Sequence, residues 1–293
     1  MLRLTQDIAE DPNLFANWIE LYLILQNDFL SKSSLIKLLD DNAISNAEEY
    51  VDSALIEIEY RNSLCNGYLF DLKSNTVRSK ISKSKYPEYI LCLFFSVYGD
   101  IMRDNGTKLF EQIVEQCVKT YLVNETILLG FPNPKSYVQN IENFCACFKE
   151  KLGREMIARK YTKLPESQMY KHIKDNGVDI IGIKSFHDKH ARSNHLYILI
   201  QCGAGKDWCN KRNIPMQIWK DFITWNNDTV IPSMAIPHIV KLEEWEKFKN
   251  IYGIIIDRIR LFNMMKSNDY YIPTSIKNRI AAWNDNAIST VLQ

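Results

Sequence analysis

The chain has 293 residues, 46% hydrophobic and 24% charged, the composition of a globular protein with enough length to bury a sizeable core. Its 36 basic and 35 acidic side chains leave a formal charge of +1, which excludes a global electrostatic pull toward nucleic acid, though a local basic groove is compatible with a balanced total. The acidic N-terminus "MLRLTQDIAEDPNLF" lacks a secretion-type apolar region, the seven cysteines are odd in number, and "YILCLFFSVYG" is too short to span a bilayer, so a reducing, cytoplasmic setting without membrane contact is expected.

In chain order, "LFANWIELYLILQNDFL" (Leu14–Leu30) carries apolar residues at helical spacing. "SSLIKLLDDN" follows as a short helix that Ser33 or Ser34 can cap, and "SNAEEYVDSALIEIEYRNS" opens with Ser45 and Glu48 at capping-box spacing. "GYLFDL" and "TVRSK" read as two strands round a polar turn at Lys73–Asn75. Three helices and a hairpin is the order of a winged-helix module. Its third helix carries Glu48, Glu49, Asp52, Glu57 and Glu59, which phosphate would repel, so a scaffold or protein-contact role is favoured over groove reading. Lys73, Arg78, Lys80, Lys83 and Lys85 along the hairpin are a solvated face or a phosphate contact. A helix over Lys85–Gly106, with Pro87 near its start and Asn105-Gly106 as its end, closes this mainly helical region, 1–104.

The pattern then becomes mixed, over 105–293. A helix spans Thr107–Leu122 with Thr107 as cap, "ETILLGFPNP" is a short apolar stretch ending in a turn, and Ser136–Gly153 is amphipathic. Strands are expected at Gly177–Lys184, His195–Gly203 and Thr229–His238, with helices at Pro215–Asn227 and around "LEEWEKFKN", which implies an α/β sheet covered by helices. The loop histidines His187, His190 and His195 match no common zinc spacing. Arg258 and Arg260 leave two readings open, phosphate contact or pairing with Asp257 and the acidic helices.

"LYILIQCGAGKDW" invites a nucleotide-loop reading and fails it: Ile200 stands where the first Gly is needed, and Asp207 where a hydroxyl should follow the Lys. Asp179, set in the apolar strand "GVDIIGIK", calls for a partner or a site, and Gln201 follows "LYILI" on the next strand. The order helix–strand–strand–helix–strand with these two residues resembles the PD-(D/E)XK (restriction-endonuclease-like) nuclease superfamily. From Lys108 onward, "GVDIIGIKSF", "LYILIQCGAGKDW", "WKDFITW" and "MAIPH" resemble a bacterial branch of it in which Gln replaces the second acid.

The resemblance implies a central mixed sheet flanked by helices, preceded by the winged-helix-like region, and a DNA endonuclease that hydrolyses phosphodiesters with Mg2+ or Mn2+. Asp179, Gln201 and the Cys202 backbone carbonyl would hold the metal. Glu111, preferred to Glu115 one turn on, would complete the set. The family lysine belongs two residues after the second acid, where this chain has Gly203; Lys206, past the Gly-Ala-Gly turn, is the residue expected to swing back as the cation. The implied setting is bacterial anti-phage defence or restriction, acting on DNA, with RNA as the alternative, and with an ATPase or methyltransferase partner or a homo-oligomer. The rival reading is a catalytically inactive nuclease-fold scaffold, or a DNA- or protein-binding subunit of a defence complex.

Overall fold

The computed structural model of the chain describes residues 2–26, 28–73, 75–102, 104–123, 126–129, 177–186, 195–217, 219 and 230–292. The helix expected at Ser136–Gly153, His187, His190 and most of the helix expected at Pro215–Asn227 lie outside the described residues.

The N-terminal part runs α1 (Gln6–Ala9), α2 (Pro12–Gln26), β1 (Phe29–Ser31), α3 (Lys32–Asp41), α4 (Ala47–Leu64), the hairpin β2 (Phe70–Lys73) and β3 (Thr76–Ser79), then α5 (Pro87–Tyr98). The first long helix stops at Gln26 rather than Leu30, because Phe29, Leu30 and Ser31 pair with Arg78, Val77 and Thr76 of β3 in a sheet ordered β1-β3-β2. Apolar spacing cannot separate a last helical turn from a short strand whose partner lies far along the chain. Ser31 then caps α3, accepting from the Ser34 N–H at 3.1 Å while the Ser34 hydroxyl accepts from the Ser31 N–H at 3.0 Å. At α4 the expected Ser45–Glu48 box gives way to Asn46 in the left-handed region, φ 60°, with no side-chain cap bond. Gly99 ends α5 early, and Asn105 takes the N-cap position of the next helix in place of Thr107.

The second part comprises α6 (Gly106–Leu122), β4 (Thr126–Leu128), β5 (Ile180–Lys184), β6 (Leu196–Cys202), β7 (Val230–Ala235), α7 (Leu242–Tyr252), β8 (Ile254–Ile256), α8 (Arg258–Met265) and α9 (Thr274–Val291). The five strands form one mixed sheet in the order β4-β5-β6-β7-β8, flanked by helices. β4, β5 and β6 are antiparallel; β7 and β8 join in parallel. Register runs from Ile180 opposite Ile200 to Lys184 opposite Leu196, and from Tyr197 opposite Val230 to Cys202 opposite Ala235. Side chains alternate between the faces. Ile180, Ile198, Ile200 and Cys202 share a core with α6, while Val178, Ile181, Tyr197 and Leu199 pack with Ile214 and Trp219. Gly182 lets α6 lie on the sheet, since a Cβ there would stand 2.7 Å from Leu122 and 2.9 Å from Val118.

The α6-side core is continuous across residue 104, running from Leu2 to Val291. Trp283 of α9 stacks on Phe95 of α5 at 5.7 Å and donates to Asp104 at 2.8 Å. Deeper, a charged network joins the two parts. Arg258, at the start of α8, donates to Ser96 and Asn17 (2.7 Å each) and lies 3.5 Å from Glu20, which also binds Arg61 and the Tyr89 hydroxyl at 2.8 Å. Arg258 thus pairs with an acid of an N-terminal helix, while Arg260 donates to the Ile255 carbonyl and lies over Trp245. Among the described residues no helix is long and apolar enough to cross a membrane.

Gly253 ends α7 at φ +81°, and a Cβ there would fall 2.2 Å from the Pro232 carbonyl oxygen of β7. Gly253→Ala is expected to destabilise the protein by more than about 2 kcal/mol, from backbone strain and the clash together. A urea midpoint that stays put would show that β7 moves away without cost.

Candidate active site at the ends of the central strands

Asp179 lies just before β5 and interrupts the ladder. In a regular antiparallel strand the N–H and C=O of one residue point to the same neighbour. Here the Asp179 N–H donates to Ile200 of β6 at 2.8 Å, and its carbonyl accepts from Leu129, just past β4, at 2.7 Å. Its carboxylate accepts from the Cys202 N–H at 2.7 Å, tying the start of β5 to the end of β6. The regular pairing of the two strands ends at Ile180 opposite Ile200, so Asp179 and Gln201, the pair singled out in the sequence, both stand just beyond it at the same end of the strand pair. Gln201 is buried, and its Oε1 has no hydrogen-bond partner among the described residues. Gly177, at φ +75°, makes room for it: a Cβ there would meet the Gln201 amide nitrogen at 3.0 Å.

Glu111 approaches the same strand end from α6. The Cys202 thiol is pushed well above its ordinary range, first by burial and then by the Asp179 and Glu111 carboxylates, against the opposing Lys211. Glu115, one turn further, accepts from Thr126 of β4 at 3.3 Å instead. Cys202 faces α6 and Gln201 the opposite side of the sheet, so Glu111 and Gln201 reach the strand end from different faces.

No known family model, curated protein or solved structure matches this chain. The site is therefore read from its own geometry.

Lys206 packs toward α5. Its stem lies against Gly99, 3.7 Å from where a Cβ would stand, and its charge acts on Asp7 and His238. The ammonium at the strand end belongs to Lys211, whose Nζ donates to the Cys202 carbonyl at 2.8 Å. Asp179 and Lys211 thus bracket one residue, the acid on its N–H and the cation on its C=O. No local signal marks Lys211, which follows the short 3-10 turn Trp208–Asn210 in a polar run.

A metal fit can be judged on donor chemistry. Mg2+ takes hard oxygens and keeps several waters, so one or two carboxylates with a carbonyl or amide oxygen suffice. Asp179, Glu111 and the Cys202 carbonyl are donors of this kind on the α6 side, and the orphaned Gln201 Oε1 is another on the opposite face. Among the described residues there is no group of three or more His, Cys, Asp or Glu side chains that could hold a metal ion, so the neutral oxygens are needed.

The turn after β6 is pinned by His238, whose Nε2 lies 3.0 Å from the Gly205 carbonyl. Burial, with smaller help from Arg258 and Lys206, lowers the His238 pKa from 6.5 to about 4. Between those values the unfolded chain binds a proton that the folded chain refuses, so the stability present above pH 6.5 is lost as pH falls toward 4. The loss is expected to reach about 2–3 kcal/mol relative to His238→Asn, with urea midpoints followed from pH 7 to 4. Parallel curves for the two proteins would contradict it.

Proposed function

We propose that the protein is a metal-dependent DNA endonuclease of the PD-(D/E)XK kind. The observation that carries this reading is the Asp179 carboxylate on the Cys202 N–H, which sets an acid beside Gln201 and the charge of Glu111 at the end of β6. The order α6, three antiparallel strands and then a parallel β7 supports it, with the acid before the second strand of the sheet and the amide at the end of the third. When bound, Mg2+ or Mn2+ would supply charge neutralisation at the phosphate and a more acidic water. Asp179, Glu111 and the Cys202 carbonyl would hold it, with the Gln201 amide oxygen offered from the other face of the strand end. Asp179 is kept in place by its hydrogen bond to the Cys202 backbone, and the low exposure of Gln201 keeps bulk water from competing for its oxygen.

We take the N-terminal part as winged-helix-like and as a protein-contact module. The third of its long helices, α4, carries the acidic face, where Glu48 and Asp52 bind Lys32 at 3.1 and 2.7 Å. Several hairpin cations are already engaged: Lys73 with Asp71, Lys83 with Asp285, Lys80 with the Gly67 carbonyl and Lys85 with Tyr68. A near-neutral surface of this kind fits a nuclease that gains DNA affinity from an ATPase or methyltransferase partner, or from its own oligomer, in anti-phage defence or restriction. The lack of a three-ligand group among the described residues favours a second reading, an inactive scaffold in such a complex. Plasmid incubated with Mg2+ and the protein, beside Asp179→Asn, separates the two: cleavage that Asp179→Asn leaves intact removes the site assignment, and no cleavage with any metal or partner favours the scaffold.

A further inference from the structure

The position two residues after Gln201 is crowded, with little room for a side chain. A Cβ on Gly203 would meet Trp208 Cβ at 3.0 Å, Met234 Sδ at 3.3 Å and Ile236 Cγ2 at 3.4 Å. The turn that crowds it also carries the replacement, because Lys211 leaves that turn and reaches back to the Cys202 carbonyl. The turn is held from α7. The Tyr252 hydroxyl lies 2.9 Å from both the Cys209 and the Lys211 carbonyls, and its buried ring packs with Trp208 and Phe248. One hydroxyl therefore contacts the peptide units that follow Cys209 and Lys211, and so holds the backbone on both sides of the Lys211 stem.

We infer that Lys211 supplies the ammonium of this site and that Tyr252 is the residue that positions it. The inference rests on the nuclease reading for its activity measurements only. A long flexible lysine stem loses considerable rotamer freedom on being held at one point, so fixing its base is an efficient way to keep the charge in place. The ammonium stands where it can donate to a phosphate oxygen beside Asp179. It also shares the Cys202 carbonyl with any divalent cation bound there, so the two cations repel.

The test uses the full chain and its Lys211→Met, Lys211→Arg, Lys206→Met and Tyr252→Phe variants, with plasmid cleavage in Mg2+ and Mn2+ affinity from electron paramagnetic resonance of free Mn2+. Lys211→Met is expected to lower kcat about 100-fold or more with KM little changed, a loss about tenfold or more beyond that of Lys206→Met. It is expected to bind Mn2+ about threefold tighter or better, because a neighbouring positive charge is gone. Lys211→Arg should restore part of kcat, and Tyr252→Phe should lower kcat about fivefold at constant KM, a split that a role confined to folding would not produce. A Lys206→Met loss equal to that of Lys211→Met, or a Tyr252→Phe protein with altered thermal stability and unchanged kcat, overturns the assignment. If the wild-type protein does not cleave, the nuclease reading falls and Mn2+ still decides: tighter binding by Lys211→Met upholds Lys211, and equal affinity or no Mn2+ binding overturns it.

Discussion

Asp179→Asn is expected to lower Mg2+-dependent DNA cleavage by about three orders of magnitude, which is about 4 kcal/mol of transition-state stabilisation, while costing the fold about 1 kcal/mol. The two effects separate because the carboxylate has two tasks. One is to accept a hydrogen bond from the Cys202 N–H at 2.7 Å, which an amide oxygen can still do. The other is to bring negative charge to the end of β6, which an amide cannot. Asp179→Leu removes both and leaves the Cys202 N–H without this acceptor, so it should cost about 1–3 kcal/mol more in urea unfolding. A scaffold would show the stability series without any cleavage for it to act on. Activity that survives in Asp179→Asn would remove Asp179 from the chemistry and leave it as the cap of a strand end.

Glu20→Gln is expected to be the most destabilising conservative change in the protein, at about 3–5 kcal/mol. Glu20 is fully buried between two guanidiniums that are also buried, Arg61 on one oxygen and Arg258 on the other, with the Tyr89 hydroxyl beside Arg258. Burial works against the Arg258 charge, and the Glu20 carboxylate offsets it. When Glu20 is neutral, the partly exposed Glu57 still pairs with Arg61, while Arg258 keeps, among the described acids, only the weaker influence of Asp257. The amide keeps the shape of the carboxylate and removes its charge, so the measured loss isolates electrostatics from packing. A urea midpoint within about 1 kcal/mol of wild type would mean that water or a shifted acid reaches the guanidiniums, contrary to the burial of the network.

The elements legible in the sequence are those set by short-range chemistry. The hairpin at Phe70–Ser79 follows from alternating strands round a polar turn, and β5, β6 and β7 from β-branched runs bounded by turn residues. Asp179 and Gln201 were legible as a pair because an acid and an amide in apolar strands stand out against the cost of burying them. That they stand at the same strand end depended on register, which the core-facing pattern of each strand restricts but does not fix.

What the sequence by itself determined was an α/β chain with a mixed second part, the strands that carry the polar pair, and the glycine at 203 where a side chain was expected. The tertiary structure decided the rest. Strand β1 exists because β3 pairs with it, Glu115 accepts a hydrogen bond from Thr126 of β4, and Arg258 serves a buried acid on α2. It also decided which lysine stands at the strand end. Lys206 is nearer in sequence, but His238 pins its turn and Gly99 receives its stem, while Tyr252 and Trp208 bring Lys211 back to Cys202. A turn's direction is set by the distant groups that satisfy its carbonyls, and those partners do not show in local spacing.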